Sequence, residues 1–300
     1  MTPIATENVI INGNRIAYGV YGEGDPVVLV HGTPSASIIW RNVVPELSKA
    51  GFKVHVFDLL GYGESERPWS PDVDTSISGQ VPILEALLDH WGVMTVHLVA
   101  HDIGGGVAQR FGVFHNDRLR SLTMIDVVSF DSYPSRRTRQ QMETGLAKLI
   151  QAPESDHREH FREWLLTASA DPGAFEEGGA LNAYLDYISG TVGQASLFQH
   201  QVRHYDPKHT MEIADRIHEL GKVPVKLIWG EKDAWQNLEW AHRLKAAIPD
   251  SDLSVVEGAG HFSLEDKPQE ISGLLLDFLG AHRTSISDLS RSESAYSSPG

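Results

Sequence analysis

The chain has 300 residues, 41% hydrophobic and 22% charged, enough to bury one large core or two modest ones. Its net charge of −15, which no run of Lys and Arg offsets, argues against nucleic acid and membrane surfaces as partners. Without cysteine there is no disulfide framework, no thiolate zinc site and no cysteine nucleophile.

The first twenty residues lack the basic start and apolar block of a signal peptide, and no stretch approaches the roughly 18 apolar residues of a membrane span. A cytoplasmic enzyme is the expectation. Residues 27–30 and 53–57 read as buried strands, with an amphipathic helix over 40–50 between them and a second helix over 78–91. A strand over 96–100 runs into a glycine-rich turn, then a helix over 107–115 and a strand over 121–125. Strands alternating with helices predict an α/β fold, a mostly parallel central sheet flanked by helices. From about 127 to 213 the apolar residues take helical spacing without strand-like runs, as in a helical cap insertion. The earlier rhythm resumes with strands over 225–228 and 253–256 and helices over 238–247 and 268–279. The domain expectation is thus a core of 1–126 and 214–283, a cap of 127–213 and, from its serine-rich composition, a disordered tail over 284–300.

His101-Asp102-Ile103-Gly104-Gly105 lies between a strand and a helix, where a sharp turn lifts one side chain above the sheet. The serine-hydrolase form of this turn is G-x-S-x-G, and here aspartate holds the centre. Asp102 could simply cap the following helix, but the carboxyl ends of strands are where open α/β sheets bind ligands. Val30-His31-Gly32-Thr33-Pro34 follows another strand, and a backbone amide there, at Thr33, would form an oxyanion hole with the amide of Ile103. Among fifteen histidines an isolated one means little. His261, however, follows a strand at the same sheet edge, and Asp233 in Trp229-Gly230-Glu231-Lys232-Asp233 can hold its tautomer and balance its charge. Nucleophile, acid and histidine then fall in the chain order expected on such a sheet. Asp126 ends a strand and is an alternative acid, against its plainer role as a turn carboxylate. Trp164 and Trp40 could line a pocket or simply pack. Arg136-Arg137-Thr138-Arg139 could attract an anionic substrate or form a solvated helix face. His97 and Asp58 have no ligand-like neighbours, so no metal is expected, nor any other cofactor.

Five stretches together resemble the haloalkane dehalogenase and epoxide hydrolase branch of the α/β-hydrolase fold family. They are H-G-T-P-S-A-S-I-I-W-R-N-V-V-P at 31–45, D-L-L-G-Y-G-E-S at 58–65, A-H-D-I-G-G at 100–105, W-G-E-K-D at 229–233 and G-A-G-H-F at 258–262. The resemblance implies attack by Asp102 on a saturated carbon, an alkyl-enzyme ester, and hydrolysis by water that His261 deprotonates with Asp233 in support. Ile103 stands where haloalkane dehalogenases usually carry tryptophan, and Thr33 where they often carry asparagine. Epoxide hydrolases use cap tyrosines, which Tyr184, Tyr187 and Tyr205 could supply, although the second such position falls near Gln199 and His200. Fluoroacetate dehalogenases typically place arginine after the nucleophile, and this chain does not. The candidate cap and pocket residues are Trp164, Tyr184, Tyr187, His200 and Tyr205.

The leading expectation, carried by residues 31–45, is a haloalkane dehalogenase-like enzyme acting on a small, mostly apolar organic substrate. An epoxide hydrolase is the alternative. An ester or lactone hydrolase comes next, and last a non-enzymatic ligand receptor on the same fold. A homodimer is compatible with the sequence.

Overall fold

The computed structural model describes residues 1–178 and 180–283, so the expected tail over 284–300 lies outside the described residues. Eight strands form one sheet in the order β1-β2-β4-β3-β5-β6-β7-β8. They are β1 (Glu7–Ile11), β2 (Asn14–Tyr21), β3 (Asp25–Val30), β4 (Phe52–Phe57), β5 (Val96–His101), β6 (Leu119–Ile125), β7 (Val225–Gly230) and β8 (Asp252–Val256). β2 pairs antiparallel with both β1 and β4, and all other neighbours are parallel. β5 and β7 are buried along their whole length, so apart from His97, His101 and Lys226 they read as apolar runs rather than alternating ones.

β3 has β4 on one side and β5 on the other, so the chain leaves β3 toward one edge and returns past it toward the other. Such a reversal opens a crevice at the carboxyl ends of β3 and β5. The loop bearing Thr33 and the turn bearing Asp102 both start there.

Helices cover both faces. α1 (Val44–Lys49), α2 (Ile77–His90) and α3 (Ile103–Phe114) lie between the early strands. The segment between β6 and β7 is helical: α4 (Arg136–Thr144), α5 (Leu146–Ile150), α6 (Glu154–Leu166), α7 (Pro172–Glu177), α8 (Ala180–Ile188), α9 (Gly190–Ser196) and, after short helical turns, α10 (Lys208–Met211). α11 (Leu238–Ala247), α12 (Ser263–Asp266) and α13 (Pro268–Ala281) complete the chain. One apolar cluster joins the sheet to α2, α3 and α11, and the other joins it to α1, α13 and the cap helices α6, α7 and α8. Among the described residues no helix is long and apolar enough to cross a membrane.

Three elements depart from expectation. The helix expected over 40–50 is a short turn at Ser37–Trp40 followed by α1, because Pro45 fits the first turn of a helix and disrupts its interior. The helix expected from 107 begins at Ile103, through three glycines of poor helix propensity. Their missing side chains let α3 sit close to its neighbours. A Cβ on Gly104 would lie 2.4 Å from the His31 carbonyl oxygen, and one on Gly105 would lie 2.1 Å from a Val127 methyl. The β1–β2 hairpin was not expected at all. It closes on Asn12-Gly13, both at positive φ (50° and 81°), which suits a two-residue hairpin turn.

Candidate active site

β5 ends at His101, and the chain turns into α3 through Asp102, whose φ of 51° and ψ of −123° are strained for a residue with a side chain. That strain points the carboxylate away from the helix: its side chain makes no capping bond to α3. Oδ1 accepts a 2.7 Å hydrogen bond from the Thr33 amide. Oδ2 lies 3.4 Å from His261 Nε2, an ion-pair distance across which Nε2 makes no hydrogen bond. Gly32 makes this approach feasible, since a Cβ there would fall 2.4 Å from Asp102 Oδ1.

His261 is fully buried, with Nδ1 2.9 Å from Asp233 Oδ2. The other Asp233 oxygen accepts from the amides of Trp235 (2.8 Å) and Gln236 (2.7 Å), so the loop after β7 fixes the carboxylate before it meets the imidazole. Asp126 is bound elsewhere: it accepts from the Gly230 amide at 2.7 Å and the Ser263 hydroxyl at 2.5 Å, and it makes no hydrogen bond to His261. Burial, reinforced by the charge of Asp233, holds the Asp126 pKa well above the usual carboxylate range.

Burial opposes charge on both Asp102 and His261, but their mutual attraction outweighs it. Asp102 sits below its ordinary pKa, and His261, which also faces Asp233, sits well above its own. Both directions favour an imidazolium between two carboxylates. Two further histidines are structural. His101 Nε2 donates to the His261 backbone carbonyl at 2.9 Å, and burial keeps this ring neutral with a pKa of about 3. His31 Nδ1 donates to the Gly32 carbonyl while Nε2 accepts from the Leu59 amide, each at 2.9 Å, which ties the Thr33 loop to the end of β4.

The loop that carries His261 also contacts the cap. The Phe262 amide donates to the Ala168 carbonyl, and Asp266 Oδ2 accepts from the amides of both Gly260 (2.7 Å) and Ala170 (2.8 Å).

The space before Asp102 is a tight cavity of about 20 Å³ bordered by Thr33, Tyr133, Trp164, Tyr205 and Trp235. Of the cap residues singled out from sequence, Trp164 and Tyr205 are in this wall. Tyr184 is not: its hydroxyl donates to Glu265 at 2.5 Å, and Arg41 holds the same carboxylate through two bonds of 2.7 and 2.6 Å. Tyr187 borders a separate surface hollow with Arg15 and Arg67. His200 packs on Gly61 and contacts Thr75, outside the Asp102 cavity. The Thr33 hydroxyl donates to Gln201 at 2.6 Å, so only its backbone amide serves Asp102. Ile103 presents an aliphatic side chain, and Trp40 is buried in the core. Sequence reasoning missed Tyr133. It follows the end of β6, just as Thr33, Asp102 and Asp233 follow the ends of other strands, and that position is the signal that could have found it.

Residues 25–268 match the alpha/beta hydrolase fold family. A crystal structure of an alpha/beta hydrolase fold protein from Burkholderia ambifaria superposes with a TM-score of 0.82 at 32% identity, covering 91% of this chain and 97% of the other. A soluble epoxide hydrolase from Corynebacterium sp. is 27% identical, over 94% of this chain and 99% of its own. A 2-hydroxy-6-oxononadienedioate/2-hydroxy-6-oxononatrienedioate hydrolase from Paraburkholderia phymatum is 26% identical, over 91% and 94%. With the sheet, the buried histidine–aspartate pair and the match over most of its length in agreement, the chain belongs to the alpha/beta hydrolase fold family and is a hydrolytic enzyme.

Proposed function

We propose that this enzyme opens epoxides, with Asp102 attacking a ring carbon and Tyr205, beside Tyr133, protonating the departing oxygen. The observation that carries this reading is the pair of phenols in the Asp102 cavity, their ring centroids 5.4 Å apart. Burial raises both phenol pKa values, so each is a protonated donor at neutral pH. A departing halide would call for other donors. Ile103 offers none from its side chain, the Thr33 hydroxyl is given to Gln201, and the Trp235 indole N–H is directed to Thr167 at 3.3 Å, so Trp164 is the indole left at the wall, against two phenols. This favours an epoxide over the carbon–halogen bond that residues 31–45 led us to expect.

Attack by Oδ2 forms the ester bond and breaks the ring C–O bond, and the freed oxygen takes a phenolic proton that the imidazolium of His261 replenishes. Esterification also cancels one of the two charges that keep His261 protonated, so the imidazole becomes a base at the step that needs one. Water gives His261 its proton and adds to Cγ of the ester. Negative charge then develops on Oδ1, where the Thr33 amide already donates. Collapse expels the diol with the former Oδ2, which takes the proton left on the hydroxyl added from water, so carboxylate and imidazolium are restored. In this reading residues 127–213 are the cap over Asp102, and 1–126 with 214–283 are the core.

A matched pair of substrates tests the proposal: an aryl-substituted terminal epoxide and the haloalkane with the same carbon skeleton. Diol formation without halide release is expected. Halide release from the haloalkane with no diol from the epoxide would overturn it.

A further inference from the structure

We infer that the enzyme's substrates carry a carboxylate remote from the reacting carbon, received in a vestibule beside the reaction cavity by Arg136 and Arg139. The inference rests on the epoxide reading for the reacting end alone. The cavity before Asp102 is tight, about 20 Å³, and adjoins a hollow of about 510 Å³, with Pro134, Ser135 and Trp235 bordering both. A substrate too long for the inner space therefore extends into the outer one.

The vestibule is built from two sides. α4 supplies Arg136, Arg139 and Gln140, which share a face by the three- and four-residue spacing of a helix, while Thr138 borders the inner cavity. The loop into α11 and its first turns supply Trp235 and Trp240, aromatic surface for an apolar stem. Among the described residues no carboxylate lies within ion-pair distance of Arg136 or Arg139. Arg139 is nonetheless held in place, donating to the Pro134 carbonyl at 2.9 Å and to the Asp131 carbonyl. Those acceptors are neutral, so they orient the guanidinium without cancelling its charge. Two acids border the hollow. Asp131 is bound by Arg243 at 2.9 Å, which leaves Glu239 against two cations. In a chain of net charge −15, uncompensated positive charge beside the reaction cavity suits an organic anion, and a guanidinium fork suits a carboxylate in particular.

Titration of tryptophan fluorescence with an ω-phenyl alkanoate and with its primary amide tests this without turnover, because Trp235 and Trp240 border the vestibule. The acid should bind about tenfold more tightly than the amide, the scale of one charge-assisted contact at a partly exposed site. Arg136→Gln and Arg139→Gln should each remove part of that preference, and the double variant nearly all of it. In the kinetic arm, the ratio of kcat/KM for an epoxy acid to that for its amide should fall in parallel. Equal affinity of wild type for acid and amide, or a preference that survives the double variant, overturns the vestibule assignment. A preference lost in the double variant, in an enzyme that turns over no epoxide, upholds the vestibule and counts against the epoxide reading instead.

Discussion

An imidazole flanked by two carboxylates becomes a useful base only when one of them loses its charge. His261 is in that position between Asp233 and Asp102, and both raise its pKa. In the proposed mechanism ester formation on Asp102 removes one of these influences, so the two half-reactions should differ in pH dependence. In single-turnover experiments the ester-forming step should be nearly flat from about pH 6 to 8, since Asp102 is ionised throughout. Ester hydrolysis should quicken as pH rises and neutral His261 accumulates, a raised pKa meaning that the base form is scarce below it. Removing the imidazole in His261→Ala should stop the reaction at the ester, visible by intact-protein mass spectrometry as an adduct that peptide mapping places on Asp102. Absence of that adduct with a competent epoxide would remove Asp102 as nucleophile. Asp233→Asn should slow hydrolysis of the ester far more than its formation, whereas Asp126→Asn should act mainly on stability, because its carboxylate binds Gly230 and Ser263. Tyr205→Phe should slow ring opening by about 10²-fold or more, the usual cost of a lost proton donor. An unchanged opening rate in Tyr205→Phe, Tyr133→Phe and the double variant would end the role of both phenols.

At the scale of single elements, the strand ends were legible because a strand's carboxyl end and its short loop stand next to each other in sequence. Asp102, Thr33, Asp233 and His261 could all be found that way. The start of α3 could not be read so easily, since Gly104, Gly105 and Gly106 oppose a helix by propensity and only their contacts with β3 and Val127 explain it. Gly104→Ala should therefore cost about 3 kcal/mol in denaturant unfolding, because its Cβ would meet backbone oxygens of Val30 and His31 that side-chain motion cannot clear. Gly13→Ala is the milder contrast. Nothing lies within 4 Å of its Cβ, and only the positive φ costs, about 1 kcal/mol. A smaller loss at Gly104 than at Gly13 would show that α3 can shift off the sheet. The β1–β2 hairpin escaped the sequence reading although Asn12-Gly13 is a strong turn signal, because Ile10 is exposed and the apolar alternation that flanks such a turn is weak here.

Over the whole molecule, the cap was legible as helical but its inward face was not. Tyr184 looks from its spacing like any other cap tyrosine. Its partner Glu265 lies 81 positions away, and only the packing of α8 on the core reveals that the phenol ties cap to core. Tyr184→Phe should lower stability by about 1 kcal/mol and leave the acid in ring opening untouched. A matching collapse of epoxide opening in well-folded Tyr184→Phe would return it to the site. Because α6, α7 and α8 share an apolar cluster with α1 and α13, calorimetry should find cap and core unfolding in one transition, and two resolved transitions would contradict this. The bonds around His261 extend the same dependence to protein engineering. A Cβ on Gly260 would strike the Ala168 carbonyl at 2.4 Å, and the amides of Gly260 and Ala170 meet on one oxygen of Asp266. A chimaera given a relative's cap would thus replace part of the support for His261, and residues 168–170 have to be inherited with the core if the graft is to keep the base proposed for it.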